Sequence, residues 1–151
     1  LSFYVHGALR SILGAQVHYG ATYLCMEGPL FSTRAESHLY RSWGCGIIGM
    51  TAIPEAKLAR EAEMAYCLVG MVTDYDCWKA EEVAVTVSTV MEHMRHNVET
   101  IRRALPAVIE AIPGDFKSPA HEAARHAIMT NREVIPAETK RKLELLFGKY
   151  L

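Results

Sequence analysis

Two carboxylates two residues apart, Asp74 and Asp76, follow an apolar stretch in the segment MVTDYDCWK, Met71 to Lys79. Period-two spacing puts both on one side of the chain wherever extended geometry continues. Like charges that close repel, so one of the pair holds a proton more readily than a lone carboxyl does. Such a pair can donate a proton to a leaving group, and a carboxylate can accept from a ligand amine. A plainer role fits the same spacing, with one Asp capping the next helix and the other solvated. Spacing alone leaves both roles open.

Two further loops carry residues suited to a ligand. Phe31, Ser32 and Thr33 come after the run ATYLCM, and Met50 and Thr51 come at the end of GIIGM. Phe31 and Met50 suit a core as well as a ligand face. Thr51 suits a ligand contact or a cap for the helix that starts near Pro54. In open α/β sheets, ligands bind off the carboxyl ends of strands, and all three loops leave strands at that end.

The elements that would hold these loops are readable. Apolar residues at Phe3, Val5, Leu9, Ile12 and Leu13 predict a first helix. ATYLCM, Ala21 to Met26, is β-leaning. Thr33-x-x-Glu36 is a capping box, so a helix is expected from about Arg34 to Trp43, with Gly44 past its end. Gly46 to Met50 predicts a buried strand, and Pro54 opens a helix over 54–63. AYCLVGMV, ending at Val72, predicts a third strand, apolar on both faces. Val87, Val90, Met91, Met94, Val98, Ile101 and Leu105 then share one helix face, and Pro106 is expected to kink or break that helix. Ser118 and Pro119 mark a helical start, and a last helix is expected over 137–148. Alternating strands and helices give an α/β fold, a mixed β-sheet flanked by helices, in a single domain spanning 1–151.

Composition narrows the function classes. Half of the 151 residues are hydrophobic, 22% are charged and the formal net charge is -1. No basic block suggests a nucleic-acid surface or a polybasic membrane anchor. No apolar run approaches the roughly 18 residues of a membrane span. The opening LSFYVHGALRSILG carries Arg10 within its apolar pattern and reads as an amphipathic helix rather than a signal peptide. Cys25, Cys45, Cys67 and Cys77 form no C-x-x-C pair and read as buried reduced thiols of a cytosolic protein. His93 and His96 share a helix at i, i+3 with no evident third ligand, so no metal site is expected.

Three segments, EGPLFSTRAES, GMTAIPEAKLAREA and TDYDCW, occur in an order and spacing that closely resemble the methylthioadenosine phosphorylase branch of the trimeric purine nucleoside phosphorylase family. The resemblance is strong from Thr22 to about Met91. It implies a purine nucleoside phosphorylase-like fold, of which this chain is the C-terminal half. The implied reaction cleaves 5′-methylthioadenosine with inorganic phosphate as co-substrate and needs no other cofactor. The implied partners are a nucleoside and phosphate, within a cytoplasmic homotrimer.

Carried over by position, the resemblance implies that Phe31 packs on the base and Met50 lies along the ribose. Thr51 offers its hydroxyl to phosphate, Asp74 meets purine N7, and Asp76 lies near the 6-amino group. Val87, Val90 and Met91 form an apolar slot for the methylthio group. Ser32 stands where relatives that prefer 6-oxopurines carry a glutamate, and Val87 where relatives that bind a 5′-hydroxyl carry a histidine. Burying an S-methyl group contributes on the order of 1 kcal/mol. Gly49 departs from those members that carry Asn there, and nothing in the chain matches the family's Gly-rich phosphate loop. The alternatives are a phosphorylase for methylthioinosine or adenosine, and a non-catalytic purine-binding module.

Overall fold

The computed structural model of the chain describes residues 1–79 and 87–151. Its centre is a β-α-β unit. Strand β1 (Thr22–Cys25) and strand β2 (Cys45–Gly49) run parallel, paired Tyr23 to Ile47, Leu24 to Ile48 and Cys25 to Gly49. Parallel neighbours need a crossover connection, and helix α2 (Arg34–Ser42) supplies it. The register shifts by an irregularity between Thr22 and Tyr23. Beyond the strand ends, the Met26 N–H still reaches the Gly49 carbonyl at 2.9 Å. The loops that leave β1 and β2 therefore start side by side.

Helix α2 begins as its sequence dictates. Thr33 and Glu36 form both halves of the capping box, and the Thr33 side chain accepts from the Glu36 N–H. Hydrogen bonds from the Thr33 N–H and hydroxyl hold the Glu36 carboxyl below its ordinary range. Helix α3 (Glu55–Glu61) follows Pro54, with no side-chain cap. Thr51 therefore does not cap it.

A second layer is helical. Val5, Ala8 and Leu9 of α1 (Ser2–Leu13) bury themselves with Ala104 and Val108 of α4 (Val87–Glu110). Ile101, Leu13 and Cys67 pack around them, and burial raises the Cys67 thiol above its ordinary value. Of the kink or break expected at Pro106, the break does not occur: α4 runs through the proline. An interior proline costs about 3 kcal/mol. The residues flanking it, Ala104 at 0% exposure and Val108 at 8%, are locked into the core and offset that cost.

The last helix, α5 (Ala137–Phe147), ends in a tight turn at Gly148–Tyr150. Before it, Ser118 caps a short helical turn at Pro119–Glu122 through the Ala120 N–H. No helix among the described residues is long and apolar enough to cross a membrane.

The third strand expected over AYCLVGMV is not formed as a strand. Among the described residues the sheet has two strands. The segment nevertheless runs beside β2, since a Cβ on Gly70 would lie 3.6 Å from Ile47. Two of the backbone carbonyls at its end go to α4 instead of to a ladder. Asn97 Nδ2 donates to Val72 O at 3.4 Å, and His93 Nδ1 meets Thr73 O at 3.1 Å. Where buried thiols were expected, Cys25, Cys45 and Cys67 are half-buried and Cys77 is exposed.

Candidate functional site

A cleft of about 640 Å³ opens where β2 ends. Ile48, Gly49, Met50 and Thr51 form its floor, Leu68 through Asp76 one wall, and Ser37, Tyr40 and Arg41 of α2 the other. The structure thus brings Met50, Thr51, Asp74 and Asp76 together across more than twenty residues of chain.

Two glycines shape this floor. Gly28 has φ +74 and lies under Met50, whose Cε would stand 2.3 Å from any Cβ there. Met50 therefore bridges the loops after β1 and β2. At Gly49 a Cβ would fall 1.9 Å from the Tyr23 hydroxyl. The Tyr23 phenol fills the space that a side chain at 49 would need. That accounts physically for the departure from an Asn at this position.

The carboxylates are held by neutral donors. Asp74 is exposed; its Oδ2 accepts from the Thr73 hydroxyl at 2.8 Å and its Oδ1 from the Asp76 N–H at 2.9 Å. This is an aspartate turn, which closes the loop locally. Asp76 is half-buried with φ +59, so the extended geometry expected through it stops here. Its Oδ2 accepts from the Ser37 hydroxyl at 2.5 Å. The plainer expectation, one Asp capping the next helix and the other solvated, is not what the described residues show: Asp74 closes a local turn and Asp76 is bonded to Ser37.

Aromatic contacts brace the rest of the loop. The Arg41 guanidinium lies over the Trp78 ring at 3.7 Å, Trp78 meets Tyr75 edge-on, and Lys79 lies over Tyr75 at 3.7 Å. The Cys77 thiol reaches back to the Ser32 carbonyl at 3.3 Å.

Among the described residues, Phe31, Ser32 and Met91 do not line this cleft. Phe31 is 85% exposed. Ser32 is half-buried and donates to the Met26 sulfur at 3.4 Å. Met91, on α4, is 61% exposed. Val87 and Val90 begin the same helix, and their side chains lie outside the described residues. Among the described residues no three His, Cys, Asp or Glu gather as a metal site.

Ser37, Tyr23, Arg41 and Asn97 carry no role in the sequence reading, although each shapes the cleft or its loop. Ser37 is 2% exposed, yet in sequence it is one more polar residue on a helix. The glycine at 49 is the available signal for Tyr23.

The model of the phosphorylase superfamily matches residues 5–110 of this chain. An S-methyl-5′-thioadenosine phosphorylase of Geobacter sulfurreducens is 49% identical over 138 residues, covering 91% of this chain and 48% of that protein. One from Koribacter versatilis is 50% identical over 137 residues, covering 91% and 47%. A crystal structure of a methylthioadenosine phosphorylase from an Antarctic soil metagenomic library superposes with a TM-score of 0.80 at 41% identity, over 95% of this chain and 51% of that one. The chain thus spans about half the length of the curated relatives it matches. With its β-α-β unit, its cleft at the strand ends and these matches, the chain belongs to the phosphorylase superfamily.

Proposed function

We propose that this chain supplies the purine-side wall of an enzyme that cleaves 5′-methylthioadenosine with inorganic phosphate. The observation that carries the reading is the shared cleft of Met50, Thr51, Asp74 and Asp76. The products are adenine and 5-methylthioribose 1-phosphate. A phosphate oxygen forms a bond to C1′ while the C1′–N9 bond breaks, and its electron pair leaves with the purine. A proton delivered to N7 neutralises the departing base, which is general-acid catalysis.

Within the cleft, Asp74 serves N7 and Asp76 the 6-amino group. A carboxylate accepts from an amine and repels a 6-oxo group, so the pair selects adenine. Met50 packs along the ribose, and the exposed Thr51 hydroxyl serves phosphate. On the family resemblance alone, Phe31 is assigned to cover the base, with Ser32 beside it, and Val87, Val90 and Met91 are assigned to the methylthio slot. Relatives at about half identity carry the name of this activity, which supports the choice of substrate. A solved phosphorylase from Schistosoma mansoni in complex with methylthioadenosine matches with a TM-score of 0.67 at 29% identity. The assembly we propose is a homotrimer, on the family resemblance.

The test is adenine release from methylthioadenosine, followed by absorbance with and without phosphate. It is run on this chain and on the product of the complete reading frame. Phosphate-dependent release by the complete product is expected. Release independent of phosphate, or none from the complete product, overturns the reading. Adenine binding without turnover in both would instead mark a purine-binding module.

A further inference from the structure

We infer that Ser37 is a positioning residue for base recognition: its buried hydroxyl fixes the Asp76 carboxylate and, through it, the orientation of Asp74. The inference rests on the reading of these aspartates as contacts to the base. Among the described residues, Ser37 is the buried polar side chain. A buried hydroxyl without a partner is costly, so its direction is fixed by the bond it makes. That bond goes to Asp76 Oδ2 at 2.5 Å, across 39 positions of sequence.

The link continues along the loop. The N–H of Asp76 donates to Asp74 Oδ1 at 2.9 Å. Asp76 holds a left-handed φ of +59, a conformation uncommon outside glycine that aspartate tolerates better than most residues. Ser37 and Arg41 stand one turn apart on α2, on the same face. Ser37 takes the carboxylate and Arg41 takes the Trp78 ring. One helix face therefore grips the loop on both sides of its turn. With Oδ2 bonded to Ser37, the Asp76 carboxylate, which lines the cleft, is held in one direction. Carboxylate direction separates an amino from an oxo substituent, because only the amine donates.

The test uses the protein from the complete reading frame. Methylthioadenosine and methylthioinosine are compared by kcat/KM in Ser37→Ala, Ser37→Thr and Asp76→Asn. The ratio between the two substrates cancels any change in the folded fraction. Ser37→Ala is expected to lower the preference for the 6-amino substrate at least tenfold. Ser37→Thr, which keeps the hydroxyl, is expected to restore most of it. An equal loss on both substrates in Ser37→Ala overturns the inference. A ratio that moves in Asp76→Asn but not in Ser37→Ala overturns the inference and leaves the base-contact reading standing. A ratio unmoved in Asp76→Asn overturns that reading itself. Should Ser37→Ala yield no folded protein, Ser37→Cys gives the same comparison with a weaker donor of similar size. An unchanged ratio there overturns the inference.

Discussion

Two regions of this chain are organised around carboxylates, and they are built differently. At the end of α3, Glu63 gathers Tyr150 OH at 2.6 Å, the Ala124 N–H at 3.0 Å and the Lys149 ammonium. Its side chain is 8% exposed, and the donors come from far along the chain. Burial works to raise its pKa, but the bonds from Lys149, Tyr150 and Ala124 outweigh it and hold the carboxyl at about 2. Around the cleft, Asp74 and Asp76 meet neutral donors, and Asp74 stays exposed. A carboxylate saturated by charged and neutral donors is a structural clasp. One held by fewer donors, at a cleft, keeps acceptor capacity for a ligand.

The comparison can be broken in four ways, the largest first. Asp74→Asn in the complete protein is expected to cut methylthioadenosine turnover by roughly 100-fold or more, the scale of a lost general acid. It should also shift base preference toward 6-oxopurines, and steady-state kinetics on both substrates checks this. Base preference left unchanged would end the adenine-clamp reading.

Glu63→Gln should do the opposite. Melting temperature falls by several degrees, while kcat/KM per folded molecule holds. The pH dependence carries a definite sign. The folded-state pKa of Glu63 is depressed from 4.5 to about 2, so its contribution is fully present above about 4.5 and is lost as pH falls toward 2. Thermal melts of wild type and Glu63→Gln should therefore converge across that window. Curves that stay parallel would show that the clasp adds nothing.

Gly49→Ala drives a methyl group into the Tyr23 hydroxyl, and overpacking of this kind costs about 1–3 kcal/mol. Adding Tyr23→Ala should relieve the clash. Denaturant melts of the single and double variants measure it. The smallest effect is expected from Val87→His, a several-fold gain for adenosine relative to methylthioadenosine, read as a ratio of kcat/KM values.

Much of the frame was legible because its signals are local. The capping box at Thr33 and Glu36, the short apolar runs and Pro54 each act within a few residues, and α2, β1, β2 and α3 follow them. The helix expected here formed as α4, but Met91, Met94, Val98 and Leu105 of its expected apolar stripe are exposed; α4 buries Ala104 and Val108 on α1 instead, with Ile101 beside them, and that burial carries it past Pro106. AYCLVGMV shows the limit of such signals. An apolar run fixes burial, but a strand also needs a partner whose carbonyls and N–H groups are in register.

The site divides in the same way. Asp74, Asp76, Met50 and Thr51 were visible as unusual residues at strand ends, and the fold gathers them. Ser37 was not, because its partner lies 39 residues on and no spacing rule reaches so far. Nor was Glu63, whose bond to Tyr150 spans 87 positions. Side chains that act only through distant partners leave no periodic trace.

The Cys77 thiol on the Ser32 carbonyl gives the loop a second anchor near the start of α2. With the Ser37 bond, both ties land within the helix's approach and first turn. The carboxylate loop therefore shares the fate of that turn. Wherever α2 frays, the turn at Asp76 opens with it. The amide protons of Ser37 and Asp76 should then exchange with solvent deuterium at matching rates, as one opening unit.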